Sequence, residues 1–152
     1  MVTYNSQDHI ADCVKWFADR PGDMWVRIRD NGSTDATPRI LKQLETDGLI
    51  DELILSPDDP GFAIGVNDVI RRCGNDDVML MNPDARIAVD TVELMRDAVA
   101  ADETLGAVSP VVSTGDEISV MSAGRQPRLW PMLTHYSGLS RIFPRSRVLR
   151  GR

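Results

Sequence analysis

Short apolar runs alternate with stretches of helical periodicity along most of this chain, and the runs end in polar turn sequences. Val2-Thr3-Tyr4, Trp25-Val26 with Ile28, Leu53-Ile54-Leu55 and Asp77-Val78-Met79-Leu80-Met81 have the length and apolar content of strands. Between the first two, Ile10, Cys13, Val14, Trp16 and Phe17 recur at helical spacing up to a break at Pro21-Gly22. A second helix is expected from Thr37, with Ile40, Leu41 and Leu44 on one face and Asp47-Gly48 ending it. Phe62 to Arg72 and Thr91 to Ala101 read as two more, and Ala107-Val108, Val111-Val112 and Ile118 to Met121 as strand-like stretches. Strand, helix, strand in repeated order predicts an α/β domain with a mainly parallel sheet between helices. Only four residues precede Asn5, whereas a central parallel strand usually runs about five or six. The expectation is a chain that starts partway through its first, central strand.

Length and charge narrow the function. A chain of 152 residues is one domain, with roughly two-thirds of its unfolded surface available for burial. No apolar run approaches the ~18 residues of a membrane span, and no basic-then-apolar leader opens the sequence. Cys13 and Cys73 stand far apart with only two histidines in the chain, so no zinc spacing exists. They read as reduced thiols of a cytoplasmic protein. All acidic residues lie at or before Glu117, while seven arginines and no acid follow from Ala123. An acidic body does not suit a duplex nucleic-acid partner, which requires a basic face. The expected division is therefore residues 1–122 as the α/β domain and 123–152 as a basic amphipathic tail.

Ligands of open α/β sheets bind beyond the carboxyl ends of the strands. Polar clusters fall there: Thr3-Tyr4-Asn5-Ser6, Asp30-Asn31-Gly32-Ser33-Thr34-Asp35 and Asn82-Pro83-Asp84, with Asp58-Asp59-Pro60-Gly61-Phe62 where a loop meets a helix. None is built for covalent catalysis, since there is no G-x-S-x-G elbow and neither cysteine has an evident histidine partner. G-x-G-x-x-G is absent, and Gly61 and Gly65 lack the Lys-Ser/Thr of a phosphate loop. The carboxylates and hydroxyls that remain suit a nucleotide and a hard cation. Magnesium is usually held by one or two carboxylates plus substrate phosphates, so Asp84 alone can suffice. Each cluster also has a plain structural reading. Asn82-Pro83-Asp84 reads as a turn with Asp84 capping a helix, Asp30-Asn31-Gly32 as a turn before a capped helix, and Tyr4 as an ordinary strand aromatic.

Taken together in this order and spacing, V-T-Y-N-S, D-N-G-S-T-D, P-G-F-A-I-G-V-N and L-M-N-P-D-A resemble family 2 glycosyltransferases. The likeness is strongest to the rhamnosyltransferase-type branch of cell-wall and surface-polysaccharide assembly, and it covers roughly residues 2–125. It implies a GT-A fold and inverting transfer of a sugar, rhamnose in that branch, from a nucleoside-diphosphate donor to a saccharide or lipid-linked acceptor. By resemblance, Thr3 and Tyr4 lie against the base, Asp30 contacts base or ribose, and Gly61 and Asn67 line the donor pocket. Asp84 matches the last acid of the D-x-D-type motif that binds a divalent metal, magnesium or manganese. Such an ion neutralises charge on the leaving diphosphate, and Arg86 could add to it.

Two departures stand out. Asp59 replaces an asparagine common in the family, so its negative charge either repels the diphosphate or sits outside the pocket. The G-G-F-D-E-type and E-D-x-D-type motifs that supply the catalytic base and acceptor site are absent, so the catalytic residue is unassigned and the chain is expected to be catalytically incomplete. In the tail, Leu129, Trp130, Leu133, Tyr136, Leu139, Ile142 and Phe143 sit among arginines. They read as packing against an absent half, or as a contact with the inner face of an anionic membrane. Rival readings are a non-catalytic nucleotide-sugar-binding module completed by a partner chain, and a nucleotidyltransferase. The latter expects a glycine-rich loop after Tyr4, which is not there.

Overall fold

β2 (Arg27–Asn31) organises the domain, because its alternating residues serve two different environments. The structure, a computed structural model, describes residues 1–114, 117 and 118. β2 lies between β1 (Val2–Thr3) and β3 (Glu52–Ser56) in a sheet of order β1-β2-β3. Both pairings are parallel, with Thr3 opposite Asp30 and Asn31 opposite Ser56. Side chains alternate across a strand, so Ile28 and Asp30 share one face while Arg27, Arg29 and Asn31 share the other.

The Ile28 face carries the apolar core. Helix α1 (Ile10–Lys15) contributes Ile10 and Val14, and Phe17 follows it; α2 (Thr37–Thr46) contributes Leu41 and Leu44. All of these are buried, as are Val26 and Ile50. The expected spacing in both helices is what places them there, although Trp16 and Trp25 are exposed. The second strand accordingly begins at Arg27, after the two aromatic and aliphatic residues taken as its start.

The opposite face is polar, which is unusual for a parallel sheet covered on both sides. α3 (Phe62–Arg71) packs over it through Gly65, Val66 and Val69. Beneath α3, Arg29 pairs with Asp68 at 2.7 Å, and Arg27 pairs with Glu52, which also holds Arg72 at 3.0 Å. Ion pairs that keep hydrogen-bonding partners on each side replace the aliphatic contacts expected of a doubly covered strand.

The segment Asp77–Met81 differs from expectation. Met79 and Met81 pack on the core, but Val78 and Leu80 are exposed and no strand forms. β1 offers a neighbour only two residues to pair with, and it therefore stands at the sheet edge instead of the centre. α4 (Val89–Ala101) follows, starting two residues earlier than expected, with only Val92 buried. Arg96 ties it to Asp23 at 2.7 Å.

The chain divides into a unit of Met1–Gly106 and a second unit beginning at Ala107. In the second, residues 107–112 form no strand. β4 (Ser113–Thr114) and β5 (Glu117–Ile118) pair antiparallel. The boundary expected at residues 122 and 123, and the tail beyond it, lie outside the described residues. Among the described residues no helix is long and apolar enough to cross a membrane.

Candidate donor-nucleotide site

The carboxyl ends of β1 and β2 are locked together by side-chain hydrogen bonds. Asp30 is 1% exposed. One of its carboxylate oxygens accepts the Thr3 hydroxyl at 3.0 Å and the Ser33 hydroxyl, and the other accepts the Ser33 amide at 2.9 Å. Thr3 is equally buried, so this charged cluster is fully partnered inside the domain. Gly32 makes the turn that brings Ser33 back, with φ of +71°, a region that costs other residues energy. Its bare α-carbon also admits close approach, since a Cβ there would lie 2.9 Å from the Asp58 carbonyl carbon.

The loops after the two strands then interlock. The Asn5 amide donates to the Ser33 hydroxyl at 2.8 Å, and Asn5 Oδ1 accepts the Thr34 amide at 2.9 Å. Asn5 takes φ of +47°, which asparagine tolerates better than most residues. Further on, the Ser6 amide donates to the Thr37 hydroxyl at 2.8 Å, and the Ala36 amide to Gln7 Oε1 at 3.0 Å. Asp35 accepts the Thr37 amide at 2.9 Å and the Gln7 amide at 3.3 Å. Slight burial opposes ionisation of Asp35, but the hydrogen bonds from Thr37 and Gln7 win and hold its carboxyl below the usual range. Tyr4 stands half exposed at the mouth of this interlocked pair of loops.

Gly61 opens α3 with φ of +91°, and α3 has no side-chain cap. Its first N–H groups are thus left to water or to a ligand. Asn67 is exposed on the same helix, one turn beyond the start.

Asp84 occupies a different setting. It is exposed in a turn closed by the Ala85 amide and the Asn82 carbonyl at 3.2 Å. The turn reading of Asn82-Pro83-Asp84 holds, but Asp84 caps no helix: the residue before α4 is Ala88. The turn lies against α1, where the Cys13 thiol approaches the Asn82 carbonyl at 3.7 Å. Burial, aided by the charge of Asp84, pushes the Cys13 thiol up to about 11. Arg86 lies 3.9 Å from Asp12, and both are well exposed.

Whether a divalent metal fits can be judged from these donors. Among the described residues no group of three or more acidic, histidine or cysteine side chains could hold an ion. A metal caged by protein ligands does not fit. An ion carried by a diphosphate and touched by the exposed Asp84 does.

Arg29, Asn31, Ser33 and Asn5 also build the site, and the sequence reading passed over their roles. Asn31-Gly32 announced a turn, but the acceptors of the Asn31 amide nitrogen, Asp59 and Gly61, are some 28–30 positions away. No local signal points to them.

The three-stranded parallel sheet and its flanking helices form an α/β domain of the GT-A type. The chain belongs to glycosyl transferase family 2, whose model matches residues 1–150. Among solved structures it is similar in fold to S. aureus TarS 1-349, with a TM-score of 0.55 at 19% sequence identity. That match covers 66% of this chain and 31% of TarS, so the chain spans about a third of the structure it resembles. No curated protein sequence gives a significant match.

Proposed function

We propose that this chain is the donor-binding domain of an inverting family 2 glycosyltransferase. The donor is a nucleoside-diphosphate sugar, with rhamnose the sugar favoured by the motif resemblance. The acceptor is a saccharide or lipid-linked saccharide of polysaccharide assembly. The observation that carries this reading is the interlocked pair of loops at the carboxyl ends of β1 and β2, built on buried Thr3 and Asp30 with Tyr4 at the mouth.

In this reading Tyr4 offers its ring to the base, and Thr3 and Asp30 support the wall beneath it. Asp30 has both oxygens engaged, so it acts first as the brace of the Ser33 turn and reaches a ribose only from that braced position. Gly61 and the uncapped start of α3 present backbone N–H groups to phosphate oxygens, with Asn67 beside them. Asp84 would hold a divalent metal, magnesium or manganese, which when bound offsets the charge on the departing diphosphate. The base that deprotonates the acceptor belongs to a segment other than these. The protein works in the cytoplasm.

Calorimetric titration with thymidine and uridine diphosphates, with and without manganese, tests this reading. One nucleotide should bind only with metal, and Asp84→Asn should abolish that metal-dependent binding. A folded chain that binds neither nucleotide would overturn it.

A further inference from the structure

The polar face of β2 carries a hydrogen-bonded network that runs into the loop before α3. Asn31 is 2% exposed, yet both ends of its amide are satisfied. Its Oδ1 accepts Arg29 Nε at 3.0 Å, and its Nδ2 donates to Asp59 Oδ1 at 3.1 Å and to the Gly61 carbonyl at 3.3 Å. The same Asp59 oxygen accepts the Gly61 amide at 2.8 Å. Arg29 is itself pinned on two more sides, by Asp68 of α3 at 2.7 Å and by the Ser56 hydroxyl at 3.0 Å. That hydroxyl in turn donates to Asp58 at 3.0 Å.

Space is as tight as the bonding. A Cβ on Gly65 would fall 2.9 Å from Asn31 Oδ1, so α3 approaches β2 this closely only with glycine there. The network therefore joins three elements through one buried amide: β2, the loop from Pro57 to Gly61, and the first turns of α3.

Asp59 looked like a liability, a carboxylate where a diphosphate should lie. The structure gives it a different task. One of its oxygens is turned inward onto Asn31 and the Gly61 amide, and Asn31 in turn rests on the Arg29 guanidinium. An amide oxygen at the same position can accept both bonds, so the contacts call for an acceptor and not for a charge.

We infer that Asp59 is a positioning residue for donor binding: through Asn31 it fixes the Gly61 turn and the start of α3, and its carboxylate is a ligand of neither the phosphates nor the metal. This rests on the reading of that loop as the donor pocket. The test compares Asp59→Ala with Asp59→Asn in the full chain. Two quantities are read: amide hydrogen exchange at Gly61, and the Kd for thymidine or uridine diphosphate, whichever the wild type binds, in the presence of manganese. Asp59→Ala should speed Gly61 exchange and weaken the nucleotide at least tenfold each, while Asp59→Asn should keep both within about threefold of wild type.

Unchanged exchange and affinity in Asp59→Ala would overturn the inference. So would Asp59→Asn tightening or abolishing nucleotide binding tenfold or more, because the charge itself would then be acting. Asp59 is exposed, and thermal melting of both variants checks that each remains folded. If a folded wild type binds no nucleotide, the donor-pocket reading fails and takes the link to binding with it. Gly61 exchange in Asp59→Ala still reports whether Asp59 holds the loop.

Discussion

Two regions of this domain carry the residues proposed to meet the donor, and they are built on different terms. At the ends of β1 and β2, Thr3, Asp30, Asn31 and Thr37 are no more than 2% exposed, and each is bonded to a residue from another loop or strand. Around Asp84, Val78 and Leu80 are 44% and 51% exposed, no ladder forms, and one backbone bond closes the turn. The first region fixes its geometry before any ligand arrives. The second presents a carboxylate on a segment with few local restraints, and such segments open at low free-energy cost. A nucleotide wall needs a fixed shape. A carboxylate that meets a metal already held by phosphates does not need the same rigidity.

The strongest way to break this contrast is to compare core truncations. Ile28→Ala, at a fully buried site in β2, should destabilise the domain by about 2–5 kcal/mol. Met81→Ala, on the half-buried segment, should cost well under half as much. Urea unfolding of both variants gives the comparison, and equal losses would show the two regions to be equally structured.

Polar truncation sharpens it. Asp30→Ala removes the acceptor of the Ser33 amide and leaves the buried Thr3 hydroxyl only the Arg29 carbonyl at 3.4 Å, and should cost about 1–3 kcal/mol. Asp84→Asn, at an exposed turn, should change stability by no more than about 0.5 kcal/mol. Its effect should fall on metal-dependent nucleotide binding alone. Gly65→Ala comes next, because its methyl must displace Asn31, and about 1–3 kcal/mol is expected by thermal melting.

The two cysteines provide the smallest test. Burial first, and the Asp84 charge with it, oppose the thiolate and push the Cys13 thiol from its ordinary value of 9.0 up to about 11. The raised value means that its contribution to stability is complete below pH 9.0 and is lost as pH climbs towards about 11. Urea midpoints across that range should fall more for wild type than for Cys13→Ala. At pH 8, a thiol reagent should modify the half-buried Cys73 well before Cys13.

What could be read in the sequence follows the same division. The helices from Thr37 and Phe62 and the strand at Leu53-Ile54-Leu55 are local patterns, and each forms close to where its periodicity places it. The parallel arrangement follows from the order of these elements. The apolar run at Asp77–Met81 misled because a strand also needs a neighbour, and β1 supplies only two residues of ladder. Within the site, Thr3 and Asp30 were visible as polar residues at strand ends, and Gly61 as a loop glycine just before a helix. The bonds from Asn31 to Asp59 and from Asn5 to Ser33 cross nearly thirty positions, so only the folded sheet reveals them. That distance also explains why Asp59 read as a misplaced charge until its partners were known.

The central claim is that a nucleoside diphosphate binds where the loops after β1 and β2 interlock. Titrating isotope-labelled chain with thymidine or uridine diphosphate and magnesium, while following backbone amide resonances, tests it residue by residue. The account predicts saturable shifts at Tyr4, Asn5, Ser33 and Gly61, with the core amides of α2 unmoved. A folded chain in which those four amides stay still at saturating nucleotide would contradict it.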